Sequence, residues 1–375
     1  YQYYPYDNEW GPLHWGNVVS RDMIKWARRP EAMATDQEYD NAGCFSGSAL
    51  ELADGRHLLM YTGVRKVIEE DGSRRDHQTQ CMAFGDGTDY EKYENNPVLT
   101  PFDNLRDFRD PKVFWYAPAN KWYMIVSADK EMRFYNSSNL KDWEYLSGFG
   151  KGYGQQPNQF ECPDFIQLPV DGDPNKTKWM MIVNINPGCI FGGSATEYFI
   201  GDFDGKEFKC DTQPNVTKWL DWGKDHYATV CFSNTGTRSI AVPWMSNWQY
   251  ANLTPFKQHR GANGLPRELS LFEKDGQIYA AANVIPEIKQ LRKQSREIED
   301  IQVKQNYTIE SILPDNEGAY EIEMDITPGK SNISGIILKN GVNEQTKIYL
   351  DLQKQCLIMD RTESGIVDFG EKTFP

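Results

Sequence analysis

A chain of 375 residues is long enough for one large domain plus a smaller one, each with a core of its own. Its 40 Lys and Arg against 54 Asp and Glu give a net charge of −14, which repels phosphate backbones and anionic lipid. No apolar run approaches the ~20 residues of a membrane span, so nucleic acid and membrane insertion are both excluded as partners.

Aromatic residues make up 13% of the chain, with 11 Trp, 20 Tyr and 18 Phe. Aromatic wealth beside an acidic surface suits a sugar ligand, whose rings stack on aromatic faces and whose hydroxyls bond carboxylates. A β-rich core accounts for the same composition. The seven cysteines are odd in number and scattered, without a CxxC spacing, and spell neither a zinc site nor a disulfide framework. Six Asn-x-Ser/Thr sequons, at Asn136, Asn175, Asn215, Asn252, Asn306 and Asn332, leave the compartment open, with an extracytoplasmic or secreted location favoured over a cytoplasmic one.

The chain opens on Tyr1-Gln2-Tyr3-Tyr4-Pro5, strand-like, with no initiator Met, basic n-region or apolar h-region. This beginning reads as the middle of a longer protein. A motif then recurs: Ser20 to Trp26, Gly87 to Tyr93, Ser138 to Trp143 and Asp204 to Phe208, each ending on an aromatic residue. Between copies, strand, turn and strand alternate. Phe45 to Leu52, a turn at Asp54-Gly55 and His57 to Thr62 form one such unit; Lys112 to Ser127 and Asp164 to Asn184 repeat it.

Strand units at this period predict propeller blades, each burying its faces against its neighbours; a sandwich of hairpins is the alternative. A partial first unit and a last from Tyr227 to about Leu271 give five blades over 1–286, the first without its opening strand. Residues 287–300 are charged and helix-compatible, and read as a linker. Residues 301–375 alternate in short strands such as Tyr320 to Met324 and Ile348 to Leu352, split by Pro328-Gly329 and Asn340-Gly341 turns, and predict part of a β-sandwich. The fold class expected is all-β: a five-bladed β-propeller followed by a β-sandwich.

In a propeller the innermost strand of each blade lines the axis, so motifs opening successive units converge there. These openings are Phe45-Ser46-Gly47, Phe108-Arg109-Asp110-Pro111 and Phe160-Glu161-Cys162-Pro163. Glycoside hydrolysis needs one protonated carboxyl group and one ionised one, and Asp110 and Glu161 are the candidates. Phe160, Cys162 and Pro163 predict an apolar setting that raises the Glu161 carboxyl pKa. The bland alternatives are an exposed Glu at a strand start and an Arg109–Asp110 ion pair closing a turn.

Phe-Arg-Asp-Pro at 108–111 and Glu-Cys-Pro at 161–163 match two signature motifs of glycoside hydrolase family 32, the β-fructosidases. Trp10 to Gly16, Phe45 to Ser48 and Trp244 to Tyr250 extend the resemblance over nearly the whole chain, and Asp360-Arg361-Thr362 resembles part of the family's sandwich. The family fold is a five-bladed propeller carrying a β-sandwich. The resemblance implies that Glu161 is the general acid/base, that Asp110 stabilises an oxocarbenium-like transition state, and that Cys162 tunes Glu161. It places Gln2, Trp10, Phe45, Ser46, Arg109 and Trp244 around a terminal fructose, with Trp10 and Trp244 also readable as core aromatics. Asp221 and Lys224 fall in a segment that contributes to the family's substrate pocket.

The family's nucleophilic Asp belongs to a Trp-Met-Asn-Asp-Pro-Asn-Gly-like segment expected ahead of Tyr1 and occurring nowhere in these residues. Neither Asp7 nor Asp164 replaces it. The expectation is therefore truncation at both ends, with little or no hydrolysis by the chain as given. A full protein would act on fructans or sucrose by a retaining double displacement, and no metal or organic cofactor is implied. An inactive fructan-binding propeller and a fructosyltransferase are the competing readings.

Overall fold

The computed structural model describes residues 1–3, 11–256, 258–309 and 318–368. It resolves into two compact units, one of residues 1–251 and 257–287, the other of residues 252–256 and 288–375. No helix among the described residues is long and apolar enough to cross a membrane.

The first unit is built of strands in five successive sheets. The first holds β1 (Gln2–Tyr3), β2 (His14–Ser20) and β3 (Trp26–Met33); the second β4 (Gly43–Glu51), β5 (His57–Ile68), β6 (Arg74–Gly85) and β7 (Tyr90–Lys92). The third holds β8 (Phe108–Tyr116), β9 (Lys121–Ala128), β10 (Glu131–Ser137) and β11 (Glu144–Phe149). The fourth holds β12 (Phe160–Val170), β13 (Asp173–Ile185), β14 (Ala195–Phe203) and β15 (Phe208–Cys210). The fifth holds β16 (Tyr227–Cys231), β17 (Ile240–Met245), the short β18 (Ala262–Asn263), β19 (Arg267–Lys274) and β20 (Gln277–Val284), joined to the fourth by one parallel pair, Val170 with Leu271. These are the blades of a propeller.

Alternation along the strands explains why the blades stack. Successive side chains point to opposite faces, and here both faces are apolar. Tyr123 and Ile125 pack toward the fourth blade with Phe134, Phe160 and Phe165, while Met124 and Val126 pack toward the second with Leu58, Met60 and Met82. Met181 and Val183 join the first of these clusters, whereas Met180 and Ile182 face Leu269 and Leu271 of the fifth blade. A strand buried on both sides reads as a continuous apolar run, as Trp179 to Val183 does.

The recurrent motif is the turn that leads into each outermost strand. Asp22, Asp86, Asn139 and Asp204 each accept two backbone N–H groups, two and three residues on, at 2.8 to 3.0 Å. The residue after each has positive φ: Met23 at 59°, Gly87 at 96°, Leu140 at 66° and Gly205 at 87°. Asp and Asn stabilise such turns through their own side chains. The aromatic residue four positions on is Trp26, Tyr90, Trp143 or Phe208. Tyr90, not Tyr93, is thus the second-blade counterpart, because the turn is set by Asp86.

In the second unit β21 (Ile333–Lys339), β22 (Gln345–Asp351) and β23 (Cys356–Glu363) form an antiparallel meander. The segment 287–300 is helical only as a 3-10 turn over Pro286–Leu291, since its charges leave no apolar stripe to bury. One expectation fails. Tyr320 to Met324 joins no ladder among the described residues, and Tyr320, Ile322 and Met324 stay exposed.

Candidate active site

The innermost strands begin irregularly. Pairing slips between Phe45 and Gly47, Arg109 and Lys112, Glu161 and Asp164, and Tyr227 and Val230. At three of these bulges the second residue takes positive φ: Asp110 at 62°, Cys162 at 42° and Ala228 at 51°. An L-residue there costs roughly 1–2 kcal/mol, and bulges of this kind re-aim side chains near active sites. At the fourth, a Cβ on Gly47 would overlap the carbonyl oxygen of Met60, so only glycine fits.

The common register brings the preceding residues, Arg109, Glu161 and Tyr227, together from three consecutive blades. Arg109 Nη2 donates to Glu161 Oε1 at 2.7 Å, and the Tyr227 hydroxyl donates to Glu161 Oε2. Arg109 Nη1 donates to Asp107, and its Nε lies 3.8 Å from Asp110 Oδ2. Asp110 Oδ2 accepts the Cys162 N–H at 2.8 Å, while the Asp110 N–H donates to Thr62 Oγ1 at 2.9 Å. Thr62 in turn donates to the Ser46 carbonyl, and Gln2 Nε2 reaches Ser46 Oγ at 3.5 Å. Below, Asn184 Nδ2 donates to the Cys162 carbonyl at 2.9 Å and is itself fixed by Thr196 and Thr229.

Arg109 and Asp110 are buried, whereas the Glu161 side chain keeps 17% of its surface exposed. Burial pushes the Asp110 carboxyl up to about 6, against the opposing pull of Arg109 and the Cys162 N–H and with help from the Glu161 charge. Burial pulls the Arg109 guanidinium down, but Asp110, Glu161 and Asp107 outweigh it and hold it charged. Burial also pushes the Cys162 thiol well up, with Asp110 and Glu161 adding to it. Cys162 is thus a neutral neighbour of Asp110, which its N–H also reaches.

The apolar surroundings expected for Glu161 are not what its oxygens meet. Phe160 turns into the core between the third and fourth blades, and the bulge aims Glu161 at Arg109 and Tyr227. Phe45 is half-buried, its carbonyl accepting Trp15 Nε1 at 3.0 Å. Trp244 pairs with Tyr227 across the ladder, the rings 6.3 Å apart, and donates to the Arg260 carbonyl at 2.7 Å. Asp221 is held by Arg267 at 2.9 Å and lies 3.6 Å from His226; the Lys224 ammonium sits 5.9 Å from the Tyr250 ring centre, and its carbonyl accepts Asn247 Nδ2. Trp10 and Asp7 lie outside the described residues.

Sequence reasoning missed Tyr227, Asp107, Thr62 and Asn184 as members of the cluster. Tyr227 carried a usable signal, because it opens a blade as Arg109 and Glu161 do. Thr62 and Asn184 carried none: they sit on second strands and reach the site through side-chain bonds to the backbone of Asp110 and Cys162.

Residues 1–282 match the Glycosyl hydrolases family 32 N-terminal domain, and residues 287–375 match the Glycosyl hydrolases family 32 C terminal. The chain belongs to glycosyl hydrolase family 32. It is 39% identical to a levanase of Bacillus subtilis over 392 aligned positions, covering 100% of this chain and 57% of that protein. It is 40% identical to an invertase of Debaryomyces hansenii over 280 positions, covering 72% of this chain and 51% of that one. The chain thus spans somewhat more than half the length of these curated relatives. Among solved structures, the exo-inulinase of Aspergillus awamori superposes with a TM-score of 0.83 at 28% identity, covering 99% of this chain and 78% of that one. A fructofuranosidase of Schwanniomyces occidentalis complexed with fructose superposes with a TM-score of 0.74 at 29% identity, covering 97% and 75%. In this family 32 chain, a partly exposed carboxyl group held between a cation and a hydroxyl, beside a second carboxyl buried against the same cation, is an arrangement suited to proton transfer at a glycosidic oxygen.

Proposed function

We propose that the protein carrying this chain is a β-fructosidase that releases fructose from β-fructosides, fructans or sucrose, by a retaining double displacement. The observation that carries the reading is the convergence of Arg109 and Tyr227, from the blades on either side, onto the partly exposed Glu161 carboxyl group, with Asp110 against the same Arg109. The relatives named levanase, invertase and exo-inulinase support it and favour neither transfer nor mere binding.

In this reading Glu161 gives its proton to the leaving oxygen as the bond to the anomeric carbon breaks, then takes a proton from the water that releases fructose. Arg109 and Tyr227 hold the carboxyl group in line. Asp110 accepts hydrogen bonds from fructosyl hydroxyls as positive charge develops on the ring, with Gln2, Trp10, Phe45, Ser46 and Trp244 around the sugar and Cys162, Asp221 and Lys224 at its border. The double displacement also needs a carboxylate nucleophile, which the resemblance gives as the family's Asp.

Glu161→Gln in the full-length protein tests this. Fructose release from sucrose, inulin and levan falls ~100-fold or more while binding persists, and azide, which needs no general base, restores turnover of a substrate with an activated leaving group. Undiminished release from all three would overturn the reading.

A further inference from the structure

Just beyond the bulges lies a second polar layer that the reaction does not touch. Lys112 Nζ donates to Asp164 Oδ2 at 2.9 Å and to the Cys231 carbonyl at 3.0 Å. The same Asp164 oxygen accepts the Cys231 N–H at 2.6 Å, and Asp164 Oδ1 accepts the Phe165 N–H at 2.8 Å. Asp164 is fully buried and Lys112 nearly so, and burial, which would discharge the ammonium, is outweighed by Asp164. On the other side of β8, Ser48 Oγ donates to the Pro111 carbonyl at 2.8 Å and accepts the Val113 N–H at 3.0 Å.

These contacts join the strands that carry the site: β8 bears Arg109 and Asp110, β12 bears Glu161, and β16 bears Tyr227. Within each blade the ladder is broken where the site residues stand. Pairing with β9 stops at Arg109 and resumes at Lys112; pairing with β13 stops at Glu161 and resumes at Asp164. The ion pair therefore joins the first residues on each strand at which regular structure restarts. A fully buried ion pair contributes little stability beyond apolar residues of similar volume, so stability alone does not account for it.

We infer that Lys112 and Asp164 are positioning residues which fix the separation of Asp110 and Glu161 by clamping β8 to β12 directly behind the two bulges. The inference rests on the β-fructosidase reading above.

The test compares Lys112→Met, Asp164→Asn and the double variant in the full-length protein, with Glu161→Gln assayed alongside. Each single variant leaves a buried group without its charged partner and lowers the thermal midpoint; the double variant, with no lone charge, regains most of the loss. A positioning role leaves kcat on sucrose ~10-fold or more below wild type in the double variant, because small misplacements of reacting groups are costly. KM stays near the wild-type value, and the alkaline limb of the pH–kcat profile moves as the Arg109–Glu161 contact changes. Recovery of kcat together with the thermal midpoint, with both pH limbs in place, would reduce the pair to a structural role and overturn the inference. If the double variant does not fold, the near-isosteric Asp164→Asn, assayed well below its midpoint, decides by the same kcat and pH limb. Undiminished release by Glu161→Gln strikes instead at the fructosidase reading.

Discussion

Asp110→Asn should make the protein more stable and less active, by an amount the structure allows to be worked out. Burial raises the Asp110 carboxyl from 3.8 to about 6. A group whose folded pKa lies above its unfolded value favours the folded state only while protonated; that contribution is complete below the unfolded pKa and is lost as pH rises through the folded one. Holding Asp110 ionised at pH 7 therefore costs about 3 kcal/mol at 1.36 kcal/mol per pKa unit. Asparagine keeps an oxygen to accept the Cys162 N–H and never ionises. At about 2 °C per kcal/mol for a domain of this size, the variant should melt about 6 °C above wild type at pH 7. The gap should close as pH falls through 6 toward 4, because Asp110 is then protonated in the folded protein and little ionised in the unfolded one. Differential scanning fluorimetry from pH 4 to 7.5, with fructose release on the same samples, measures both effects. A variant no more stable than wild type at pH 7, or a gap independent of pH, would refute the reasoning.

Two further outcomes follow from other buried groups. Tyr227→Phe removes only the hydroxyl that donates to Glu161, a charge-assisted bond worth ~1.5–3 kcal/mol, and leaves the ring beside Trp244; kcat on sucrose should fall ~10-fold, and an unchanged kcat would leave Tyr227 as packing alone. Glu197, fully buried on β14 with Oε1 unpartnered and Oε2 accepting the Gln155 N–H at 3.2 Å, is pushed up to about 8 by burial. Its folded pKa is again the raised one, so wild type loses stability as pH rises from about 4.5 to 8; Glu197→Gln should remove up to about 5 kcal/mol of that loss, read as a flatter alkaline side in thermal melts.

Much of this was legible in the sequence because it is local. The Asp or Asn that opens each turn, the aromatic four residues later and the two-faced apolar strands give the blades from short-range rules. The motifs around Asp110 and Glu161 stood out because each is contiguous. What could not be read is what depends on three dimensions. Phe160 and Pro163 are the chain neighbours of Glu161, but a bulge decides what its oxygens meet, and these are Arg109 and Tyr227. The second copy of the motif reads as ending on Tyr93, yet the turn is anchored at Asp86 and its aromatic residue is Tyr90. Alternation at Tyr320 to Met324 looks like a strand, but a ladder needs a partner as well as a pattern.

The site is a concentration of costs in a fold that can bear them. Three residues with positive φ, a carboxyl group raised by burial and a buried ion pair all lie along the innermost strands, and each disfavours folding taken alone. The offset lies outward, where four apolar clusters between successive blades bury residues such as Phe134, Phe165 and Met181 completely or nearly so. Because these clusters sit between blades, they press the innermost strands together without dictating how each begins. The first residues of those strands are thereby free to leave regular pairing, and the cross-blade bonds of Ser48, Lys112 and Asp164 restore order behind them. Reacting groups need fixed positions more than they need regular structure, and a propeller axis supplies the first without the second.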